Sequence, residues 1–299
     1  MNRRNFLVTA PAMVASTAYY PNVDGKVLDD DELPSYLAAS REPAEVERTG
    51  CAVAVFPSSS WGVCARGLQF EDGRLADVQH DLTIRKGYFD LRQTEATEIA
   101  IAVANPHDSA SWQAAQTQCR LARQAGAWTL LFAAHPAPQF RYPFDANAAF
   151  GDSDRFCNNE AHVVISFVAS YLKEEFPDIV AALLNYGGYR GRTDVPALRS
   201  ALGDGARAIY LPGEVRRDSD AVQVTRCARN HLMRLTHAGV AFSGVLALLD
   251  GSWIHRGDYH EIYSKLACAV ADFVPVTVEC TGTLRDEWKA VHIIASYAP

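Results

Sequence analysis

The sequence lacks several features that mark common classes of protein. No apolar run approaches the roughly 20 residues that a membrane-spanning helix needs, so no integral membrane segment is expected. Positive charge is also scarce, because 28 Lys and Arg stand against 35 Asp and Glu, for a net charge of −7. Since a nucleic-acid-binding face needs an excess of basic side chains, the composition argues against a nucleic-acid partner.

The cysteines show neither the number nor the spacing of a disulfide framework. Their number is odd and none belongs to a C-x-x-C pair; the seven are Cys51, Cys64, Cys119, Cys157, Cys227, Cys268 and Cys280. Most lie inside apolar runs, so we expect buried free thiols rather than disulfides or a zinc site.

One segment carries metal-ligand residue types at close spacing: His255, Asp258, His260 and Glu261. Asp258 followed by Glu261 is also typical of a capping box that opens a helix, and we prefer that interpretation. We therefore predict no metal and no cofactor.

Apolar runs alternate with amphipathic segments, and 48% of the residues are hydrophobic, which is enough for a large core. They predict strands at 51–56, 99–104, 128–134, 206–213, 240–249, 274–280 and 289–296, and helices at 111–125, 159–176, 177–187, 218–233 and 258–272. Strands separated by single helices favour a parallel sheet with helices on its faces. The last two strands suggest a hairpin-like pair. The fold class is α/β, with a second α+β domain near the C-terminus.

The N-terminal segment allows two interpretations. Arg3 and Arg4 precede a weakly apolar stretch, as in a twin-arginine export signal. That stretch is short and is interrupted by Pro11, which favours a flexible tail on a cytoplasmic protein. We predict a cytoplasmic protein and keep export as the alternative.

The loop after the predicted strand 99–104 occupies the position where nucleotide-binding folds hold phosphate. It contains no glycine between Asn105 and Ser111, and Pro106 removes one N–H group. A phosphate cradle needs inward-pointing backbone N–H groups and close backbone approach, which glycines allow. Asp108 adds a negative charge that repels phosphate, and Asp108 or Ser109 is a good helix N-cap. The loop therefore predicts a capped helix.

The loop after strand 51–56 is the other candidate cradle. Its serines, Ser58, Ser59 and Ser60, could bond a phosphate, but Trp61 and a single glycine favour an ordinary turn. A nucleophilic triad could combine Ser58 and Asp108 with either His107 or His135. No G-x-S-x-G elbow exposes that serine, which argues against the triad.

Segment 99–136 resembles the bacterial tubulin homologue FtsZ, which reads as an apolar strand, "GGGTGTG", a helix and a strand ending in Lys-Pro. His135-Pro136 falls on the Lys-Pro, and the glycine-rich signature falls on 107–113, where every glycine is replaced. The likeness continues through 193–232, 239–251 and 286–298. It implies a Rossmann-like N-terminal domain joined by a long central helix to a smaller α+β C-terminal domain. The implied divisions are a tail at 1–48, a degenerate GTPase-like domain at 49–175, a central helix and loop at 176–204, and a C-terminal domain at 205–299.

The departures from FtsZ indicate lost GTPase chemistry. The family's hydrolytic loop, N-x-D-F-A-D, falls on Tyr189, Gly191 and Asp194, so one acidic residue of the pair survives. The segment that closes over the γ-phosphate in FtsZ is largely missing. The degenerate nucleotide loops hold Ser58, Ser59, Ser60, His107, Asp108, Ser109 and Ser111, and the predicted interface residues are Tyr189, Arg190, Arg192 and Asp194.

The resemblance implies a non-catalytic pseudo-GTPase that acts through protein association. It would self-associate or join an FtsZ-like filament, as a cytoskeletal or cell-division component or regulator. A second hypothesis is an enzyme or small-molecule binder that reuses the former nucleotide cleft through His107, Asp108 and His135. A third, an exported adhesive or structural protein, depends on Arg3-Arg4.

Overall fold

The computed structural model describes residues 50–65, 68–76, 82–91, 97–136, 160–173, 175–186, 193–202, 207–212, 216–217, 221–250, 256–281 and 288–297. The predicted tail with Arg3-Arg4 lies outside these ranges, as do Tyr189, Arg190, Gly191, Arg192 and His255.

Strands and helices alternate over most of the described chain. The strands are β1 Cys51–Phe56, β2 Phe70–Glu71, β3 Arg74–Leu75, β4 Ile84–Lys86, β5 Ile99–Ala104, β6 Trp128–His135, β7 Val163–Val168, β8 Arg207–Pro212, β9 Arg216–Arg217, β10 Phe242–Asp250, β11 Val276–Cys280 and β12 Trp288–Tyr297. The helices are α1 Ser109–Gln124, α2 Glu175–Leu184, α3 Val195–Leu202, α4 Ala221–His237 and α5 Arg256–Ala267. Short 3₁₀ segments cover Ser59–Ala65 and Ala169–Tyr171.

The strands form one sheet in the order β11-β10-β12-β8-β7-β6-β5-β1-β4-β3-β2, and β9 pairs with β12. Its middle, from β8 to β4, is parallel, whereas β12 runs antiparallel to β8 and to β10. The predicted α/β class is confirmed. The parallel strands β1, β5, β6 and β7 are almost wholly buried and mostly apolar, as expected of strands whose two faces are both covered.

Each face of the sheet packs against its own set of helices. On one face, alternate strand residues such as Val53, Ile101 and Leu248 join α2 and α3 in a single core. On the other face, α1 covers β1, β5 and β6, while α4 and α5 cover the strands from β8 to β11.

One predicted helix is wrong. We predicted a helix over 159–176, but residues 163–168 form β7, every residue of which is buried between β6 and β8. The run Val163-Val164-Ile165 is β-branched, which favours a strand. An unbroken apolar run shows neither the helix period nor the strand period, so the sequence does not distinguish this buried strand from a buried helix.

Two predicted connections also differ in the structure. The helix predicted at 177–187 is α2, which ends three residues early, at Leu184, whose carbonyl accepts a hydrogen bond from Thr193 Oγ1 at 2.6 Å just before α3. The expected hairpin-like pair is absent from the described residues, since β10 lies between β11 and β12. Helix α5 connects the parallel strands β10 and β11, as a parallel crossover requires.

The sheet continues past the predicted domain boundary at 204/205. Strand β8 pairs with β7, where Ile165 faces Ala208, and β8 also pairs with β12.

Across the described part of the chain, no helix has both the length and the hydrophobicity that crossing a bilayer requires.

The cysteine prediction is only partly right. Cys119 is buried on α1, but Cys227, Cys268 and Cys280 are free and exposed. Cys280 shares a face of β11 with the buried Val278, and burial raises the pKa of its thiol to about 12 although part of the residue is exposed. An apolar run therefore identified the element but not how far each thiol is buried.

Candidate functional site

The candidate site lies where β1, β5 and β6 end at the same edge of the sheet. Phe56 pairs with Ala104, and Ala104 pairs with Ala133, so the loops that follow these strands are adjacent. The carboxyl edge of a parallel sheet is where folds of this class hold ligands. The predicted residues around Ser58, Asp108 and His135 are thereby brought together.

Asp108 is the N-cap of α1. Its Oδ1 atom accepts hydrogen bonds from the N–H groups of Ala110 at 3.0 Å and Ser111 at 3.3 Å. Its backbone is extended, as is usual at an N-cap. The predicted cap is therefore confirmed, and two of the free N–H groups at the start of the helix are used internally.

The second carboxylate oxygen of Asp108 accepts a hydrogen bond from Ser58 Oγ at 2.7 Å. This bond joins the loop after β1 to the loop after β5. The Ser58 hydroxyl lowers the pKa of Asp108 below its usual 3.8, with further lowering by the Ser111 and Ala110 N–H groups and opposition from burial. Asp108 is consequently a carboxylate at neutral pH.

Asn105 completes this network and is fully buried. Its Nδ2 group donates to Ser58 Oγ at 2.9 Å and to Ser60 Oγ at 2.7 Å, while its Oδ1 atom accepts from His107 N. Ser58 and Ser60 are also 2.8 Å apart through their hydroxyl oxygens. Because Ser58 gives its one proton to Asp108, Ser60 donates in that contact.

The remaining predicted serines differ in their roles. Ser111 Oγ donates to the Phe56 carbonyl at 2.7 Å and accepts from Asn105 N at 3.1 Å, so it fastens α1 to β1. Ser59 and Ser109 are exposed.

The two histidines of the cleft contact each other. His107 Nε2 and His135 Nδ1 are 3.1 Å apart, with His107 exposed and His135 buried. Burial, followed by the positive charge that His107 can carry, lowers the pKa of His135 from its usual 6.5 to about 3. His135 is therefore neutral at physiological pH.

The hypothetical triad is not assembled. Ser58 donates directly to Asp108, while His107 contacts His135, so no imidazole lies between the hydroxyl and the carboxylate. A general base must lie within hydrogen-bond reach of the hydroxyl it deprotonates, and here the carboxylate fills that place.

Sequence reasoning missed two residues that hold the cleft together. The sequence assigns no role to Asn105, whose side chain joins both serines. It marks Trp61 only as a bulky residue unfavourable to phosphate, yet the indole Nε1 donates to the Ala134 carbonyl at 3.0 Å in a buried contact. The polar residue directly after an apolar strand was the one available signal for Asn105.

The second predicted surface is described only in part. Asp194 is exposed and caps α3, because its Oδ1 atom accepts a hydrogen bond from Ala197 N at 3.0 Å.

The predicted capping box at Asp258 is wrong, since α5 begins at Arg256 and includes Asp258. In the described ranges, no three His, Cys, Asp or Glu side chains come together in a way that could hold a metal ion.

Comparison with solved structures gives matches to FtsZ and CetZ proteins, to which this structure is similar in fold. A mutant FtsZ from M. jannaschii matches with a TM-score of 0.48 and 10% identity, over 68% of this chain and 66% of that one. CetZ from Methanosaeta thermophila strain DSM 6194 matches with a TM-score of 0.43 and 15% identity, over 67% of this chain and 62% of that one.

CetZ2 from Haloferax volcanii, solved as a GTPγS-bound protofilament, matches with a TM-score of 0.44 and 14% identity, over 69% of this chain and 67% of that one. The chain thus spans 62% to 67% of the lengths of these three structures. No protein-family model matches the chain, and no curated protein does.

Proposed function

We propose that the chain is a non-catalytic FtsZ/tubulin-like protein that acts through association with proteins rather than through GTP hydrolysis. The observation that carries this proposal is the Asp108 carboxylate at the start of α1. It occupies the N–H groups that would bind a phosphate, and it carries the charge that phosphate would bring.

The electrostatic cost of a phosphate at this position supports the proposal. Two unit negative charges about 4 Å apart repel by roughly 1 kcal/mol in water and by about 4 kcal/mol near a protein surface. Because the pKa of Asp108 is lowered, protonation does not relieve this repulsion near neutral pH. A triphosphate would have to displace the cap as well, which costs about 1 kcal/mol more.

The other polar side chains of the cleft also form hydrogen bonds with one another. Ser58, Ser60 and Asn105 satisfy one another through contacts of 2.7–2.9 Å. A ligand would have to break several of these bonds before it gained any. The network is therefore better suited to holding the loops in a fixed shape than to exchanging nucleotide.

Association would use two surfaces, 105–112 and 187–194. Their described parts include exposed His107, Ser109 and Asp194. The sequence resemblance to FtsZ supports this assignment, because these segments correspond to the nucleotide face and to the hydrolytic loop that meets it on the next subunit. The partner is a second copy of the chain or an FtsZ-like filament.

The decisive experiment is a calorimetric titration of the purified full chain with GTP and with GTPγS, beside sedimentation with and without GTP. We expect no saturable nucleotide binding and no GTP-dependent pelleting. Asp108→Asn is the matched variant, because it keeps a capping oxygen and removes the charge. Micromolar affinity of the unaltered chain for GTP would refute the proposal.

A second candidate function is the binding of a small molecule in the same cleft. The observation in its favour is the pair of imidazoles, 3.1 Å apart, beside the Asp108 carboxylate. A thermal-shift screen would support it if one metabolite raised the melting temperature saturably and if His107→Ala abolished the effect.

We place the protein in the cytoplasm, supported by the short, proline-interrupted apolar stretch after Arg3-Arg4. Fusion of residues 1–30 to a reporter tests this, and a reporter that is exported would overturn it.

A further inference from the structure

The sheet ends at β11 in the described part of the chain. Val276–Cys280 pairs with β10 on one side, and no described strand lies on the other. An open strand edge presents a row of backbone N–H and C=O groups that a further strand can pair with.

The register identifies which groups face outward. Val245 N donates to the Pro275 carbonyl, and Thr281 N donates to the Leu249 carbonyl. In a parallel ladder every second residue of a strand forms hydrogen bonds to a given neighbouring strand. The backbone N–H and C=O groups of residues 275, 277, 279 and 281 therefore face β10. The N–H and C=O groups of Val276, Val278 and Cys280 therefore point away from β10, toward the open edge.

β11 has some of the usual protections of an edge and lacks others. The strand reads Val-Thr-Val-Glu-Cys, with β-branched residues at its first three positions and no lysine, while Glu279 is its one charged residue and Pro275 directly precedes it. Three residues before it, Phe273 is 82% exposed, more than any other large hydrophobic side chain in the part of the chain that the structure describes. A β-forming edge beside an exposed aromatic ring is suited to pairing with another strand.

We propose that β11 pairs with β11 of a second copy, antiparallel about a two-fold axis through Val278. This register places Val276 opposite Cys280 of the second copy and Thr277 opposite Glu279. No like charges face each other in this register. Where two residues with outward backbone groups lie opposite each other, as Val276 and Cys280 do, they exchange two N–H···O hydrogen bonds. The strand is thus complementary to itself.

The contact is small, so the pairing is weak on its own. A stable dimer usually buries about 1,600 Å², whereas five strand residues and Phe273 supply a minor part of that area. We expect a dimer whose population rises with protein concentration. Because this edge is separate from the cleft around Asp108, the pairing does not depend on whether nucleotide binds there.

A designed crosslink tests the register directly. In Val276→Cys, the new thiol lies opposite Cys280 of the second copy, at a Cα distance of about 5.5 Å, within the roughly 4.4–6.8 Å that disulfides span. Within one chain the two positions are about 13 Å apart along the strand, so the bond forms only between copies. Copper-phenanthroline oxidation and peptide mass spectrometry should find the thiol introduced at position 276 joined to Cys280. Val276→Cys with Cys280→Ala is the control and should lose this crosslink.

A matched pair at position 280 tests the backbone contribution. Cys280→Pro removes one outward N–H group, while Cys280→Ala removes the thiol and keeps that group. In sedimentation equilibrium of the full chain, we expect Cys280→Pro to weaken the dimer at least tenfold and Cys280→Ala to leave it within twofold. Circular dichroism verifies the fold, and if Cys280→Pro is unfolded, the crosslink decides the matter.

A chain that stays monomeric at its highest soluble concentration would overturn this inference. So would a dimer that Cys280→Pro leaves unchanged, or oxidation products that join other cysteines only. A failed nucleotide prediction would leave all of these measurements unaffected.

Discussion

The hydrogen bond from Ser58 to Asp108 allows a quantitative test of the cleft. Asp108→Asn removes the negative charge but keeps an oxygen that can cap α1, because Asn is as good an N-cap as Asp. Ser58→Ala removes the donor. The two single variants and the double variant form a cycle whose coupling isolates the hydroxyl–carboxylate bond.

The expected coupling follows from the geometry. A hydrogen bond to a charged group contributes about 1.5–3 kcal/mol, and this one is 2.7 Å long. Ser58 is 6% exposed, whereas Asp108 is half-buried, so solvent reduces the value. We expect a coupling of about 1–2 kcal/mol near pH 7.

Urea unfolding of the four proteins, followed by fluorescence and circular dichroism, measures this coupling. The pKa of folded Asp108 lies below the unfolded value of 3.8. The stability that its charge confers is therefore fully present above pH 3.8 and is lost as the pH falls through the folded pKa. A coupling near zero at pH 7, or one that increases as the solution is acidified, would refute the assignment of this bond.

Three further predictions concern neighbouring contacts. Trp61→Phe should lower the free energy of unfolding by about 1–3 kcal/mol in urea, because the buried Ala134 carbonyl loses its donor; an unchanged midpoint would contradict the bond. His135→Asn should flatten the loss of stability between pH 6.5 and about 3, since the unfolded chain takes up a proton there that folded His135 does not, and the exposed His237→Gln serves as control. Asp194→Ala should cost about 1 kcal/mol by uncapping α3 while Asp194→Asn costs less, and equal costs would argue against a cap.

Much of the fold could be predicted because local pattern and tertiary context agree. β1 and β5 have the predicted bounds, and each end of α1 lies within two residues of its own predicted bound. An apolar run next to an amphipathic segment is compatible with few structures other than a buried strand followed by a helix. β7 could not be recognised because a fully buried strand and a buried helix share the same unbroken hydrophobicity. The short strands β2 to β4 carry too few residues for any period to show.

The site was predictable where it depends on a single residue and its sequence neighbours. Asp108 caps a helix that starts at the next residue, so local chemistry was enough. The bond from Ser58 to Asp108 crosses 50 positions of sequence, and the bond from Trp61 to Ala134 crosses 73. Such contacts depend on strand order and register, which hydrophobic patterning does not determine.

The pairing of β8 with a strand on each of its two sides has a mechanical consequence. With β7 on one side and β12 on the other, β8 joins the N-terminal and C-terminal strands of the described chain through two hydrogen-bonded ladders. A rotation of one half against the other would shear those ladders and the core that α2 and α3 share with both halves. We therefore expect the described part of the chain to unfold in one calorimetric transition.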